Sequence, residues 1–221
     1  MPRKIIGAAF VSLDGVMQAP GGPDEDVSGG FAYGGWLQSV GDEALGNQID
    51  SLFGGEFDLL LGRRTYDIFA AFWPFQPPDN PIAAKFAKAV KYVLTRSDMV
   101  LDWQASRRLS DLDALAQAKR ADGPHLVIQG SSTLYPQLLN AGLLDRLILM
   151  TAPITLGAGK RLLGDDLPAR SFKLVEQRTG AGGMLMATFD VADAVETGTF
   201  ETQLPSEMEL ERRKRVKDGK W

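Results

Sequence analysis

The 221-residue chain has no cysteine and a single histidine, His125. The first absence removes disulfides, thiolate metal sites and cysteine nucleophiles together. The second excludes multi-histidine metal clusters and leaves only one residue around which a Ser-His-Asp triad could be built. His125 heads the apolar run "HLVIQG" and reads as a structural residue at the start of a strand. No apolar run reaches the ~18 residues of a spanning helix, so no membrane segment is expected. There is no basic excess either: 24 Lys and Arg stand against 28 Asp and Glu, a formal net charge of −4. Nucleic-acid partners are therefore not expected. The phosphate motifs of common nucleotide folds are missing too. There is no G-x-G-x-x-G, and "TLGAGKR" (155–161) places Arg161 where a P-loop needs Ser or Thr. Chemistry that is neither hydrolytic nor zinc-dependent, in a cytoplasmic setting, fits these exclusions.

What is present alternates strands with helices. "KIIGAAFVSL" (4–13) reads as a first strand rather than a secretory leader, because Asp14 interrupts the apolar run. Residues 18–35, rich in Gly, Pro and acids, read as a mobile loop, and apolar positions from Trp36 to Phe53 recur at helical spacing. "FDLLLG" (57–62), "KYVLT" (91–95), "HLVIQG" (125–130) and "DRLILMTAPI" (145–154) read as further strands, with helices between them. "SFKLVEQRT" and "MLMATFDVA", joined through "GAGG", predict an antiparallel hairpin. The pattern predicts one α/β domain with a mixed sheet over residues 1–192. Residues 193–221 read as an extension: an edge strand in "ETGTFETQ", then a helix begun by Ser206 and Glu209 at capping-box spacing and ending in cations. That extension is a solvated helix or a homodimer arm.

Three strand ends share a plan: Gly62-Arg63-Arg64-Thr65, Leu94-Thr95-Arg96-Ser97 and Gly130-Ser131-Ser132-Thr133. In an open α/β sheet the carboxyl ends of neighbouring strands form the ligand crevice, and helix N-termini there present N–H groups to anions. Pro136 fixes the third helix start near Thr133, since proline is tolerated only in the first turn. Arg63, Arg64 and Arg96 supply forked donors suited to phosphate, although an arginine of the pair could equally neutralise Asp67. Together the three ends suit a dinucleotide carrying an extra phosphate.

The order "SLDG", "LLLGRRTYDIF", "YVLTRS", "VIQGSSTLYPQLLNAGLLDRLIL", "PITLGAGKRLL" resembles the dihydrofolate-reductase-like family. Within it, the chain is most similar to the reductase domain of the bifunctional riboflavin-biosynthesis deaminase-reductase. The resemblance covers roughly residues 4–191, and the deaminase half has no counterpart here. It implies a three-layer α/β fold with a central mixed, mostly parallel sheet and an antiparallel C-terminal hairpin. It also implies NADPH as cofactor and a small pterin-like or aminopyrimidine-like heterocycle as substrate, with a non-catalytic nucleotide-binding protein as the alternative. By the same resemblance, Gly62, Arg63, Arg64 and Thr65 border the pyrophosphate and 2′-phosphate, and Leu94, Thr95 and Arg96 the adenosine ribose. Gly130, Ser131 and Ser132, with Leu134 and Tyr135, cradle the pyrophosphate and nicotinamide ribose. The family often has Gly-Gly where this chain has Gly130-Ser131.

On the substrate side the resemblance points to the first strand and the loop after it: Ala9, Ser12, Asp14, Gly15, Val16 and Gln18. Trp36, Tyr66 and Trp73 are candidates to wall a flat ring, whereas Phe53 reads as core. Dihydrofolate reductases use a carboxylate on the helix before the "GR-T" strand. Here that helix offers Glu43 and Asp50, neither at the family spacing. Asp50 and Asp14 are the candidate catalytic carboxylates, and water or a substrate group is the other possible proton source.

Overall fold

The structure, a computed structural model, describes residues 2–164, 167–200 and 204–220. Eight strands among these residues form one sheet: β1 (Ile5–Ser12), β2 (Phe57–Gly62), β3 (Lys91–Leu94), β4 (Ser106–Leu109), β5 (His125–Gln129), β6 (Arg146–Ala152), β7 (Phe172–Thr179) and β8 (Leu185–Val191). Their order is β4-β3-β2-β5-β1-β6-β8-β7. The six strands from β4 to β6 pair in parallel, and β8 and β7 close the sheet antiparallel. The expected mixed sheet with an antiparallel C-terminal hairpin is thus observed.

Helices cover both faces because the central strands are apolar on both. Leu60, Leu126 and Ile128 face a core closed by α4 (Leu112–Arg120) and α5 (Leu134–Asn140). Leu59, Leu61 and Val127 point the other way, onto Phe53, Tyr66 and Phe86 from α1 (Glu43–Leu52) and its C-cap, α2 (Arg63–Phe72) and α3 (Pro81–Lys88). Leu59, Leu60 and Leu61 are all fully buried. Each contributes about 1.5–3 kcal/mol of transfer free energy, which is why "LLL" anchors the strand that ends at the cleft. Gly7 sits where α5 presses on β1: a Cβ there would lie 2.5 Å from Tyr135 Cε1.

Several boundaries differ from the sequence reading. The helix expected from Trp36 to Phe53 is broken into a 3₁₀ turn (Trp36–Ser39) and α1. Asp42 accounts for the break, since its carboxylate caps Leu45 N (3.0 Å) and also accepts from Gly182 N (3.0 Å) of the β7–β8 turn. Strand β4, "SRRL", has no counterpart in the sequence pattern, because it is four residues long and its exposed arginines give no apolar signal. Charges on an edge strand discourage further pairing. Beyond β8, residues 194–200 form no strand, contrary to the edge strand expected in "ETGTFETQ", whose residues 201–203 lie outside the described residues. The helix after it is present as α6 (Glu207–Lys217), with Ser206 accepting from Glu209 N at 3.3 Å. Glu209 does not complete a capping box, because its carboxylate is engaged by Arg212 and Arg213. No residue of α6 is buried.

Candidate functional site

The carboxyl ends of β2, β3 and β5 open into one cleft of about 890 Å³. All three strand-end motifs line it: Gly62 to Thr65, Leu94 to Arg96, and Gly130 to Leu134. The motifs that follow the neighbouring strands β2 and β5 are stitched together by hydroxyl–backbone bonds. Ser131 Oγ accepts from Gly62 N at 2.9 Å, while Ser131 N donates to Thr65 Oγ1 at 2.9 Å. This stitch requires an unusual turn, with φ of +76° at Gly130 and +56° at Ser131. Ser131 therefore adopts the left-handed conformation that a second glycine would take more cheaply. Its hydroxyl bond to Gly62 explains how serine is accommodated there. At Gly130 a Cβ would also stand 3.0 Å from Thr65 Cγ2, so the approach of β5 to α2 needs glycine twice over.

Four cations line the cleft: Arg63, Arg64, Arg96 and Lys160. Arg63 leans on Asp67 at 3.5 Å, both largely exposed, a pair of little energetic worth. Arg64 and Arg96 have no ion-pair partner among the described residues. The first turn of α2 carries no side-chain cap and no acid, so its N-terminus is also available to an anion. These features fit a phosphorylated nucleotide: two arginines, Arg64 and Arg96, without an ion-pair partner among the described residues, and a turn too close-packed for a Cβ at Gly130.

The loop at 18–35 is clamped in part rather than free. Gln18 donates from Nε2 to the carbonyls of Asp26 and Ser28 (both 2.9 Å) and accepts from Lys160 N (2.9 Å) through Oε1. Lys160 Nζ pairs with the Asp26 carboxylate and donates to Ser28 Oγ at 2.7 Å. Burial disfavours the charge on Asp26, but Lys160 and the Ser28 donors outweigh it and hold its carboxyl below the usual range. Lys160, within the "TLGAGKR" stretch that does not form a P-loop motif, thus ties the loop to the cleft.

A second cavity of about 450 Å³ adjoins the first, sharing Met17, Glu25, Thr65, Ile68 and Gly130 with it. Its walls are mostly apolar, with Phe10, Phe69, Phe72 and Trp73. Glu25 is the only carboxylate among the described residues that lines both cavities. Burial raises its pKa, against backbone donation from Gly21 (2.6 Å to Oε2) and Gly22. Nothing in the sequence singled Glu25 out from its acidic neighbours.

Several expected site residues do not reach these cavities. Asp14 is consumed locally. It accepts from Ser12 Oγ (2.6 Å), Leu156 N (3.0 Å) and Gly157 N (2.8 Å), and Arg161 flanks it. The Ser12 hydroxyl and these N–H groups hold its carboxyl down at about 2, so it is ionised and structural rather than a proton donor. Asp50 is exposed on α1 and lines neither cavity, because the apolar face of that helix turns Leu45, Ile49 and Leu52 inward instead. Tyr135 is fully buried against Gly7, and burial pushes its hydroxyl pKa far up. Tyr66 is core, accepting from Trp103 N at 2.9 Å. Trp36 is buried and donates to Gln18 O at 2.8 Å. Ala9, Ser12, Gly15 and Val16 line neither cavity, whereas Gln18 and Trp73 each line one. His125 is exposed at the opposite end of β5, accepting from Lys4 N at 3.2 Å.

Comparison with known proteins agrees with this architecture. The chain is 27% identical over 198 residues to YyaP of Bacillus subtilis (strain 168), covering 85% of this chain and 94% of that protein. Its fold is similar to that of a protein described as a riboflavin biosynthesis protein from Shewanella sp. PV-4, with a TM-score of 0.62 and 18% identity. That match covers 87% of this chain and 99% of that one. It is also similar to dihydrofolate reductase from Enterococcus faecalis complexed with NADP(H) and RAB-propyl, with a TM-score of 0.55 and 16% identity, covering 86% and 97%. A pyrimidine reductase-like protein from Corynebacterium diphtheriae has a TM-score of 0.52 at 17% identity, covering 86% and 92%. The model of the RibD C-terminal domain matches residues 3–186. The chain belongs to the RibD C-terminal domain family.

Proposed function

We propose that the protein is an NADPH-dependent reductase of a small heterocycle. The observation that carries this reading is the convergence of three strand ends, with Arg63, Arg64 and Arg96, on one cleft beside an aromatic pocket. In this reading Gly62, Arg63, Arg64, Thr65, Gly130, Ser131, Ser132 and Leu134 hold the phosphate backbone of the nucleotide. Leu94, Thr95 and Arg96 border its adenosine end. When bound, NADPH supplies a hydride; the protein must supply position, shelter from water and a proton. Position comes from the Gly62–Ser131–Thr65 stitch, which fixes the cleft floor before any ligand arrives. Shelter comes from Phe69, Phe72 and Trp73 on one side and the Pro20–Pro23 stretch on the other. The proton is assigned to Glu25, whose raised pKa and place at both cavities suit a carboxyl that holds a proton near a reacting ring nitrogen.

The test is titration of the protein with NADPH and NADH, followed by tryptophan fluorescence. NADPH is expected to bind with energy transfer from the tryptophans, and no signal at millimolar NADPH would sink the proposal. Arg96→Ala is expected to weaken NADPH more than NADH, by about 1.5–3 kcal/mol for a lost charge-assisted contact. Equal weakening of both would move Arg96 away from the 2′-phosphate. A second reading, a nucleotide-binding protein without catalysis, is favoured by the positions of Asp14 and Asp50, neither free in the cleft. It predicts NADPH binding without oxidation by any heterocycle in a panel.

A further inference from the structure

Three arginines line the cleft from two separate elements: Arg63 and Arg64 from the first turn of α2, and Arg96 from the crossing between β3 and β4, residues 95–105. No ion pair among the described residues joins these two walls, and their one hydrogen bond lies behind the cleft. Tyr66, which follows Thr65 in α2, is buried and lines neither cavity. Its Oη accepts from Trp103 N at 2.9 Å, and the two rings stand 6.3 Å apart. Ser106 Oγ, 3.4 Å from the same Oη, donates to Trp103 O at 2.6 Å.

The rest of the crossing is stiffened from within and from the sheet. Ser97 N donates to Thr95 Oγ1 (3.1 Å), Met99 N donates to Ser97 Oγ (3.2 Å), and Arg108 of β4 donates to Met99 O. Lys91 Nζ of β3 donates to Gln104 O at 3.0 Å. Arg96 therefore rides on a stiff segment whose hydrogen-bonded tie to α2 is Tyr66. A ligand with one phosphate on each wall binds tightly only if the span is set beforehand, since otherwise part of the binding energy goes into ordering the walls. A ligand held by one wall has no such requirement. We infer that Tyr66, a candidate from the sequence to wall the substrate, is instead a positioning residue for the cofactor. Its hydroxyl fixes the span between α2 and Arg96, and so favours a nucleotide carrying a 2′-phosphate. The inference rests on the reductase reading in assigning the cleft to that nucleotide.

The experiment is isothermal titration of the full chain and of its Tyr66→Phe variant with two probes. Adenosine 2′,5′-bisphosphate carries a phosphate for each wall, and adenosine 5′-monophosphate carries one for α2 alone. In Tyr66→Phe the bisphosphate is expected to lose about fivefold in affinity, the worth of one ordinary hydrogen bond, and the monophosphate less than about twofold. A purely structural role would lower both together, so an equal fall, or no fall in either, overturns the inference. If circular dichroism shows that Tyr66→Phe does not fold, hydrogen exchange on the wild type decides. Coupling is reciprocal, so at matched saturation the bisphosphate is expected to slow exchange of the Trp103 amide about threefold more than the monophosphate does. Equal slowing by the two overturns the inference. If the wild type binds neither probe, the reductase reading falls and this role of Tyr66 falls with it. Failure of the variant comparison alone removes the role and leaves that reading standing.

Discussion

Lys91 offers a quantitative test of the fold, far from the cleft. It opens β3 and is completely buried, with Nζ 4.4 Å from the centre of the Trp103 ring. The ammonium donates to Ala87 O (3.2 Å) and Gln104 O (3.0 Å), but the nearby Asp58 carboxylate is occupied by Arg3. Burial drives the Lys91 pKa down from 10.5 to about 8, with Asp58 acting weakly in the other direction. At about 1.4 kcal/mol per pH unit, that fall corresponds to about 3 kcal/mol. Between pH 8 and 10.5 the unfolded chain binds more protons at this residue than the folded one, so stability rises with pH through that window. Below pH 8 the lysine is charged in both states and contributes no slope. Lys91→Met removes the titration and leaves two carbonyls without their donor, a pH-independent loss of about 1–3 kcal/mol each at most. Urea unfolding followed by circular dichroism from pH 7.5 to 10.5 should therefore give diverging curves. Wild type should gain up to about 3 kcal/mol relative to the variant across the window. Parallel curves would refute the reasoning, because they would mean that the folded ammonium is hydrated as fully as the unfolded one.

Other outcomes follow from single contacts. Arg3 is buried, pairs with Asp58 and also donates to Tyr92 Oη (3.2 Å) and Pro124 O (2.6 Å). Arg3→Met should cost about 3–5 kcal/mol in urea unfolding, because it strands the Asp58 carboxylate; a loss below about 1 kcal/mol would contradict the burial of that pair. Gly130→Ala imposes a left-handed alanine, costing about 1–2 kcal/mol, and pushes on Thr65. NADPH affinity measured by fluorescence should fall at least tenfold, and an unaltered titration would detach this turn from the nucleotide site. Truncation after Val195 removes α6, which buries no residue. The unfolding free energy should then stay within about 0.5 kcal/mol, and sedimentation will report whether the tail joins two copies.

The sequence by itself determined the sheet's central strands, because "FDLLLG" and "HLVIQG" are apolar on both faces and admit only a strand covered on two sides. It also identified the three strand ends that meet in the cleft, since glycine, hydroxyl and arginine after an apolar strand are local signals. The long helix from Trp36 failed, because the tie between Asp42 and Gly182 spans 140 positions and leaves no trace in periodicity. Which acid faces the cleft was illegible for a related reason. Asp14, Glu25, Asp26 and Asp50 are chemically similar as letters, and their environments differ in good part through partners distant in the chain. Leu156 and Gly157 lock Asp14, Lys160 neutralises Asp26, and the apolar face of α1 turns Asp50 outward. Only the tertiary structure leaves Glu25 partly buried at the junction of two cavities, because hydrogen bonding and desolvation act through space rather than along the chain.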